Sequence, residues 1–104
     1  LARAKYSNAP SRATSSSTGA ATDKEIVAAV AAREIVVSKF IFTASEAANF
    51  TLESASGTAI FKALNVTGLN SGELDDLHTA AGEALTWTTN TGDGELYLEY
   101  YLRS

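Results

Sequence analysis

Alternation of apolar and polar side chains, rather than helical spacing, organises most of the chain. Residues 35–43, Ile-Val-Val-Ser-Lys-Phe-Ile-Phe-Thr, are β-branched or aromatic at nearly every position, which suits a pleated surface covered on both sides and predicts a central strand. Just upstream, Ile26, Val27 and Val30 fit a helical turn or a strand by spacing alone, and the extended run that follows favours a strand over residues 25–32. Residues 49–53 alternate, with Phe50 and Leu52 on one face. A Ser-Ala-Ser-Gly turn at 54–57 then predicts a hairpin returning through residues 58–64, and 66–69 reads as another short strand. Residues 70–76, Asn-Ser-Gly-Glu-Leu-Asp-Asp, read as the longest polar connection, followed by a brief extended piece at 77–79. Leu85 and Trp87 share a face in the next strand, and residues 90–94 carry a strong turn signal. The cleanest alternation is in residues 95–103, which places Leu96, Leu98, Tyr100 and Leu102 inward and Glu95, Tyr97, Glu99, Tyr101 and Arg103 outward. Short strands separated by Gly, Ser and Asn turns predict an all-β fold, an antiparallel β-sandwich of jelly-roll-like form.

Residues 7–22 break this pattern. They contain almost no large apolar side chain and cannot offset the entropy of ordering by burial, so the expectation is an extended, basic, Ser/Ala-rich N-terminal arm, residues 1–24, ahead of a sandwich domain, residues 25–104. Charge divides in the same way. Arg3, Lys5 and Arg12 have no acidic neighbour before Asp23, whereas all twelve carboxylates lie in the remainder and bring the net charge to -4. Arg3, Lys5, Arg12 and the aromatic Tyr6 are therefore the arm residues expected to grip a surface. The acidity of the body argues against nucleic acid as a partner, because that affinity rests on Lys and Arg displacing counterions. No apolar run approaches the roughly 18–20 residues that span a bilayer, so no membrane partner is expected.

A body of about 80 residues is close to the lower limit for a self-sufficient core. With no cysteine and no methionine, disulfide and sulfur-ligated metal reinforcement are excluded, and oligomerisation is the favoured alternative. Two tyrosines between carboxylates on an outward face suit such a contact, which makes Tyr97, Glu99 and Tyr101 the candidate protomer interface.

Signals for chemistry are sparse. His78 is the only histidine, and a lone imidazole at the end of a polar stretch is more often a hydrogen-bonding surface residue than a catalytic base. Glu73, Asp75 and Asp76 lack the spacing of a calcium loop and read as a solvated acidic segment or a dock for a neighbouring copy's basic arm. Trp87 could stack on a sugar, but its phase with Leu85 favours the core. No catalytic residue, cofactor or metal is expected.

The Ala-Ala-Val-Ala-Ala run at 28–32 before a β-branched strand, the Asn-Phe-Thr-Leu-Glu-Ser segment at 49–54, and above all Thr-Ala-Ala-Gly-Glu-Ala-Leu at 79–85 before a tyrosine-bearing strand resemble small β-sandwich virion proteins of tailed bacteriophages, over residues 25–102. That resemblance implies a structural role on the outer surface of the head: a capsid decoration or cement protein, assembled as a homotrimer and bound to the major capsid protein. Two alternatives stay open. One is a receptor- or glycan-binding tip module of a tail fibre or spike, using loops near 70–82 and 90–94. The other is a minor capsid protein.

Overall fold

The computed structural model describes residues 10–104; Arg3, Lys5 and Tyr6 lie outside the described residues. Six strands run β1 Ser11–Ser17, β2 Ala21–Val27, β3 Glu34–Ser54, β4 Ala59–His78, β5 Leu85–Thr89 and β6 Gly94–Arg103. All pairings are antiparallel.

The long β3 organises the rest. One of its edges carries β6 along residues 34–44 and then β5 along 50–54, while β4 accompanies its other edge. β1 pairs with β6, and β2 pairs with β5. The sheet thus divides into two halves, β1-β6-β3-β4 and β2-β5-β3-β4, of one antiparallel sheet. Between the halves the sheet curls. Eight residues of extended strand would separate Phe42 from Phe50 by roughly 26 Å at about 3.3 Å per residue. Their ring centroids nevertheless lie 4.3 Å apart, stacked, with Trp87 of β5 set edge-on to Phe42 at 6.1 Å.

Local sequence explains where the bend falls. Residues 44–48 of β3 are small apart from Glu46, and register shifts interrupt its pairing with β4 on both sides of Ala48. On β4, Asn65 and Gly68 adopt positive φ of 56° and 64°, values that suit asparagine and glycine and turn the strand with its partner. A second irregularity, at Ser38, shifts the buried phase of β3 from Ile35 and Val37 to Phe40, Phe42 and Ala44.

The core contains Ile35, Val37, Phe40, Phe42, Phe50, Leu52, Leu85, Trp87, Leu96 and Leu98, including the inward sets expected for residues 49–53, 84–89 and 95–98. Gly94 lies where a Cβ would come within 3.1 Å of Phe42 Cε1 and 3.4 Å of Trp87 Cζ3. Both rings are fully buried, so neither can yield cheaply. Gly94→Ala is expected to cost about 1–3 kcal/mol by overpacking, measurable as a lower urea midpoint with an unchanged m-value.

Four expectations need correction. Residues 11–24 belong to the sheet, and the arm boundary expected at residue 24 falls inside β2. Pairing with β6 and β5 supplies what their side chains lack in apolar area. The strand expected through residue 32 stops at Val27, and Val30 is 37% exposed. Its alanines have little to bury, and the Arg33 N–H donates to the Val30 carbonyl at 3.0 Å to close a turn. Residues 70–76 are strand rather than connection, because β4 pairs with β3 alone among the described residues and tolerates polar residues and bulges. Leu102, in phase with Leu98, is 38% exposed because it lies at the rim where β6 ends.

Candidate functional site

The outward face of β1-β6-β3-β4 collects most of the residues that sequence reasoning singled out. Register places Arg12, Glu99, Lys39 and Glu73 in one row across the four strands, alternating in sign. The next row is Thr14, Tyr97, Ile41 and Ser71, and the third is Ser16, Glu95, Thr43 and Leu69. Opposite charges directly across a pair of strands are worth about 0.2–1 kcal/mol, so the first row favours this register modestly.

Tyr97 is held in place. Its hydroxyl donates to Glu99 Oε2 at 3.1 Å, and Arg12 Nε stands 3.9 Å from the same oxygen. Removal from water, and then the hydrogen bond that the neutral hydroxyl donates to the Glu99 carboxylate, keep the phenol above the usual tyrosine value. Beside the ring lies a shallow recess of about 500 Å³, lined by Thr14, Ser15, Ser16, Ile41, Thr43, Glu95, Leu96 and Tyr97. One predicted arm residue, Arg12, and two predicted interface residues, Tyr97 and Glu99, thus form a single cluster.

Tyr101 occupies the same face nearer its end. It pairs with Val36, which pairs in turn with His78. Val36 is 1% exposed yet lies outside the main core cluster, so its cover comes from these outer-face neighbours. Tyr101 and His78 therefore have structural work within one chain.

An ion-pair group closes this end. Arg103 Nε donates to Glu34 Oε1 at 2.8 Å, and its Nη1 donates to Asp76 Oδ1 at 2.6 Å; the two carboxylates raise the guanidinium pKa further. His78 Nδ1 donates to the Thr79 carbonyl at 2.7 Å, with Glu34 Oε2 at 3.5 Å. The imidazole is thereby engaged in joining the ends of β3 and β4. Of the acidic trio, Asp76 joins this group, whereas Glu73 and Asp75 are exposed on β4. Among the described residues no three His, Asp or Glu side chains are grouped to hold a metal.

The loop at residues 79–84 is stitched to its surroundings. The Ile35 N–H donates to Thr79 Oγ1 at 3.0 Å, and the Gly82 N–H donates to the Arg33 carbonyl at 2.8 Å. Buried Ser54 donates to Glu83 and accepts the Ala80 N–H at 3.1 Å. The Ser54 hydroxyl, and after it the Ser56 N–H, hold the Glu83 carboxyl below its ordinary value. Glu83 therefore contributes stability above the ordinary carboxylate pKa, and that contribution disappears as pH falls through its lowered folded value. Ser54→Ala is expected to cost about 1–2 kcal/mol at pH 7 by removing the buried hydroxyl that accepts the Ala80 N–H. Urea midpoints should show the gap between variant and wild type narrowing at pH 3.

On the other half, Thr88 Oγ1 donates to Glu53 Oε1 at 2.8 Å and accepts the Asp23 N–H at 3.0 Å. Burial first, opposed by the Thr88 hydroxyl and reinforced by nearby Asp23, raises the Glu53 carboxyl above its ordinary value.

The 90–94 turn, one of the loops considered for a tip module, is tied to the bend of β3. The Asp93 N–H donates to Ser45 Oγ at 2.8 Å and the Asn49 N–H to Asn90 Oδ1 at 2.7 Å. What sequence reasoning missed was the partnership of β1 with β6. The only signal for it was the reach from Arg12 to the acidic alternation of the last strand. Comparison of the chain with protein-family models, curated proteins and solved structures finds no match.

Proposed function

We propose that the protein is a structural virion component, a capsid decoration or cement protein on the outer surface of a phage head, assembled as a homotrimer and bound to the major capsid protein. The observation that carries this reading is the outward face of β1-β6-β3-β4, where Arg12, Tyr97 and Glu99 are interlocked beside an open recess. The N-terminal segment bearing Arg3, Lys5 and Tyr6 leads directly into β1, the edge strand of that half. A basic leader issuing from the rim of a rigid, charge-patterned face suits attachment to a broad protein surface. Many modest contacts can then add through avidity. The sequence resemblance to phage virion sandwiches supports the same role, which needs no turnover.

The test is attachment. Purified chain, labelled and mixed with heads stripped of accessory protein, is expected to co-sediment with them and raise their resistance to heat or osmotic shock. Labelling confined to the tail would favour the receptor-binding alternative. Heads that cannot form without the chain would favour a minor capsid protein. Absence of binding to any virion part would overturn the proposal.

A further inference from the structure

The outer side of the half formed by β2-β5-β3-β4 holds a carboxyl pair that the proposed role does not use. The register of β2 shifts between Ala21 and Lys24, where it carries an extra residue against Thr89 and Trp87 of β5. Asp23 lies in this bulge with φ at 51°, in the left-handed region. A side chain holds its amide: Thr88 Oγ1 accepts the Asp23 N–H at 3.0 Å, and the same hydroxyl donates to Glu53 Oε1 at 2.8 Å. The Thr86 hydroxyl stands 3.4 Å from that oxygen. Glu53 thus reaches from β3 over β5 to the bulge of β2, where the Asp23 carboxyl is within hydrogen-bonding reach of it. Among the described residues β2 pairs with β5 alone, and a bulged strand held on one side is where a sheet opens first.

The charges around Glu53 do not offset the pair. On β2, register places Glu25 opposite Thr86, which is also the β5 partner of Glu53, and Lys24 opposite the buried Trp87. β5 has no charged side chain. On β4, Ala59 lies across from Glu53, and Lys62 across from Thr51. Among the described residues no cation forms an ion pair with Asp23 or Glu53. We propose that Asp23 and Glu53 form an acid-closed clasp across β5: one proton shared between the two carboxyls fastens β2 to β3, and its loss sets like charges face to face and lets β2 open. Two carboxyls at one site retain a proton because the second charge would have to form beside the first. The Glu53 carboxyl is held above its ordinary value, so the stabilisation is complete below that ordinary value and is lost as pH rises through the raised folded one. Glu83, held below its ordinary value, acts with the opposite sign and in a lower pH range. The clasp needs neither a shell nor a second copy, so it does not depend on the cement role.

The experiment follows the full-length chain by nuclear magnetic resonance. Carboxyl carbon-13 titration should show Glu53 taking up its proton at higher pH than the other glutamates. Amide exchange, corrected for the intrinsic rate at each pH, is then compared at about pH 5 and about pH 7.5 for residues 21–27, with the amides of β6 as the internal reference. The expected result is a several-fold loss of protection in β2 relative to β6 at the higher pH. Glu53→Gln carries an amide that donates to the Asp23 carboxylate at any pH, so its β2 protection should be high and flat. Asp23→Asn should lower the Glu53 inflection and flatten the response, whereas Glu25→Gln should leave the wild-type response in place. Glu53 titrating with the other glutamates, β2 and β6 changing together, a Glu53→Gln protein that keeps the pH response, or a Glu25→Gln protein that loses it would overturn this inference. The wild-type titration decides even if a variant fails to fold.

Discussion

Trp87→Ala is expected to abolish the cooperative unfolding transition at 37 °C or leave it barely measurable. Trp87 is fully buried, stands edge-on to Phe42 at 6.1 Å and tilted to Phe50 at 6.3 Å, and donates from Nε1 to Ser15 Oγ at 2.9 Å. It lies on β5 yet touches residues of β3 on both sides of the bend and reaches β1, so its removal empties the place where the two halves meet. Phe or Trp to Ala in a core costs about 3–5 kcal/mol, against a total of about 5–15 kcal/mol for a typical domain and less for one this small. The orphaned Ser15 hydroxyl adds to the loss. Trp87→Phe keeps most of the apolar volume and should retain a cooperative transition at a lower midpoint. Since Trp87 is the only tryptophan, its fluorescence reports wild-type unfolding directly, while the variants are followed by circular dichroism. A Trp87→Ala protein as stable as wild type would mean that the halves do not close on this ring.

Two truncations are expected to behave very differently. Removing residues 1–9 leaves every described strand pairing in place, and the thermal midpoint should move little. If the leader anchors the protein, this same deletion should sharply reduce co-sedimentation with heads. Removing residues 1–22 deletes β1 and the start of β2. It strips β6 of its β1 partner from Gly94 to Tyr100, leaving only β3, and takes away the acceptor of the Trp87 N–H. An inward-facing core behind an open β6 edge invites aggregation, so this chain should be insoluble or unfolded. A soluble, cooperatively folding 23–104 fragment would contradict the place assigned to β1. Retained full-affinity head binding by the 10–104 chain would remove the anchoring role of Arg3, Lys5 and Tyr6 and leave the fold untouched.

The contrast between the truncations marks the limit of what alternation can reveal. Ser-Arg-Ala-Thr-Ser-Ser-Ser in β1 has no apolar face, because it covers an edge by backbone pairing and by small side chains under Trp87. Such a strand is invisible to hydrophobic patterning, as is the polar stretch at 70–76, which is extended only because β3 lies beside it. The candidate face was partly legible: Tyr97 and Glu99 stood out on a regular outward alternation, and Arg12 as an isolated cation. That they meet was not legible, since a register cannot be deduced from one strand alone.

By itself the sequence determined the all-β class, the inward sets around Phe50, Leu52, Leu85, Trp87, Leu96 and Leu98, and the turns at 54–57 and 90–94, because these follow from local propensity and the two-residue period of a pleated strand. Only the tertiary structure decided that residues 34–54 form one bent strand, that Ser38 shifts its buried phase, that residues 11–17 belong to the sheet, and that Leu64 and Leu69 stand exposed on β4. Those features depend on which backbone lies beside which, and hydrogen bonding between distant segments leaves no imprint on the side chains of either one.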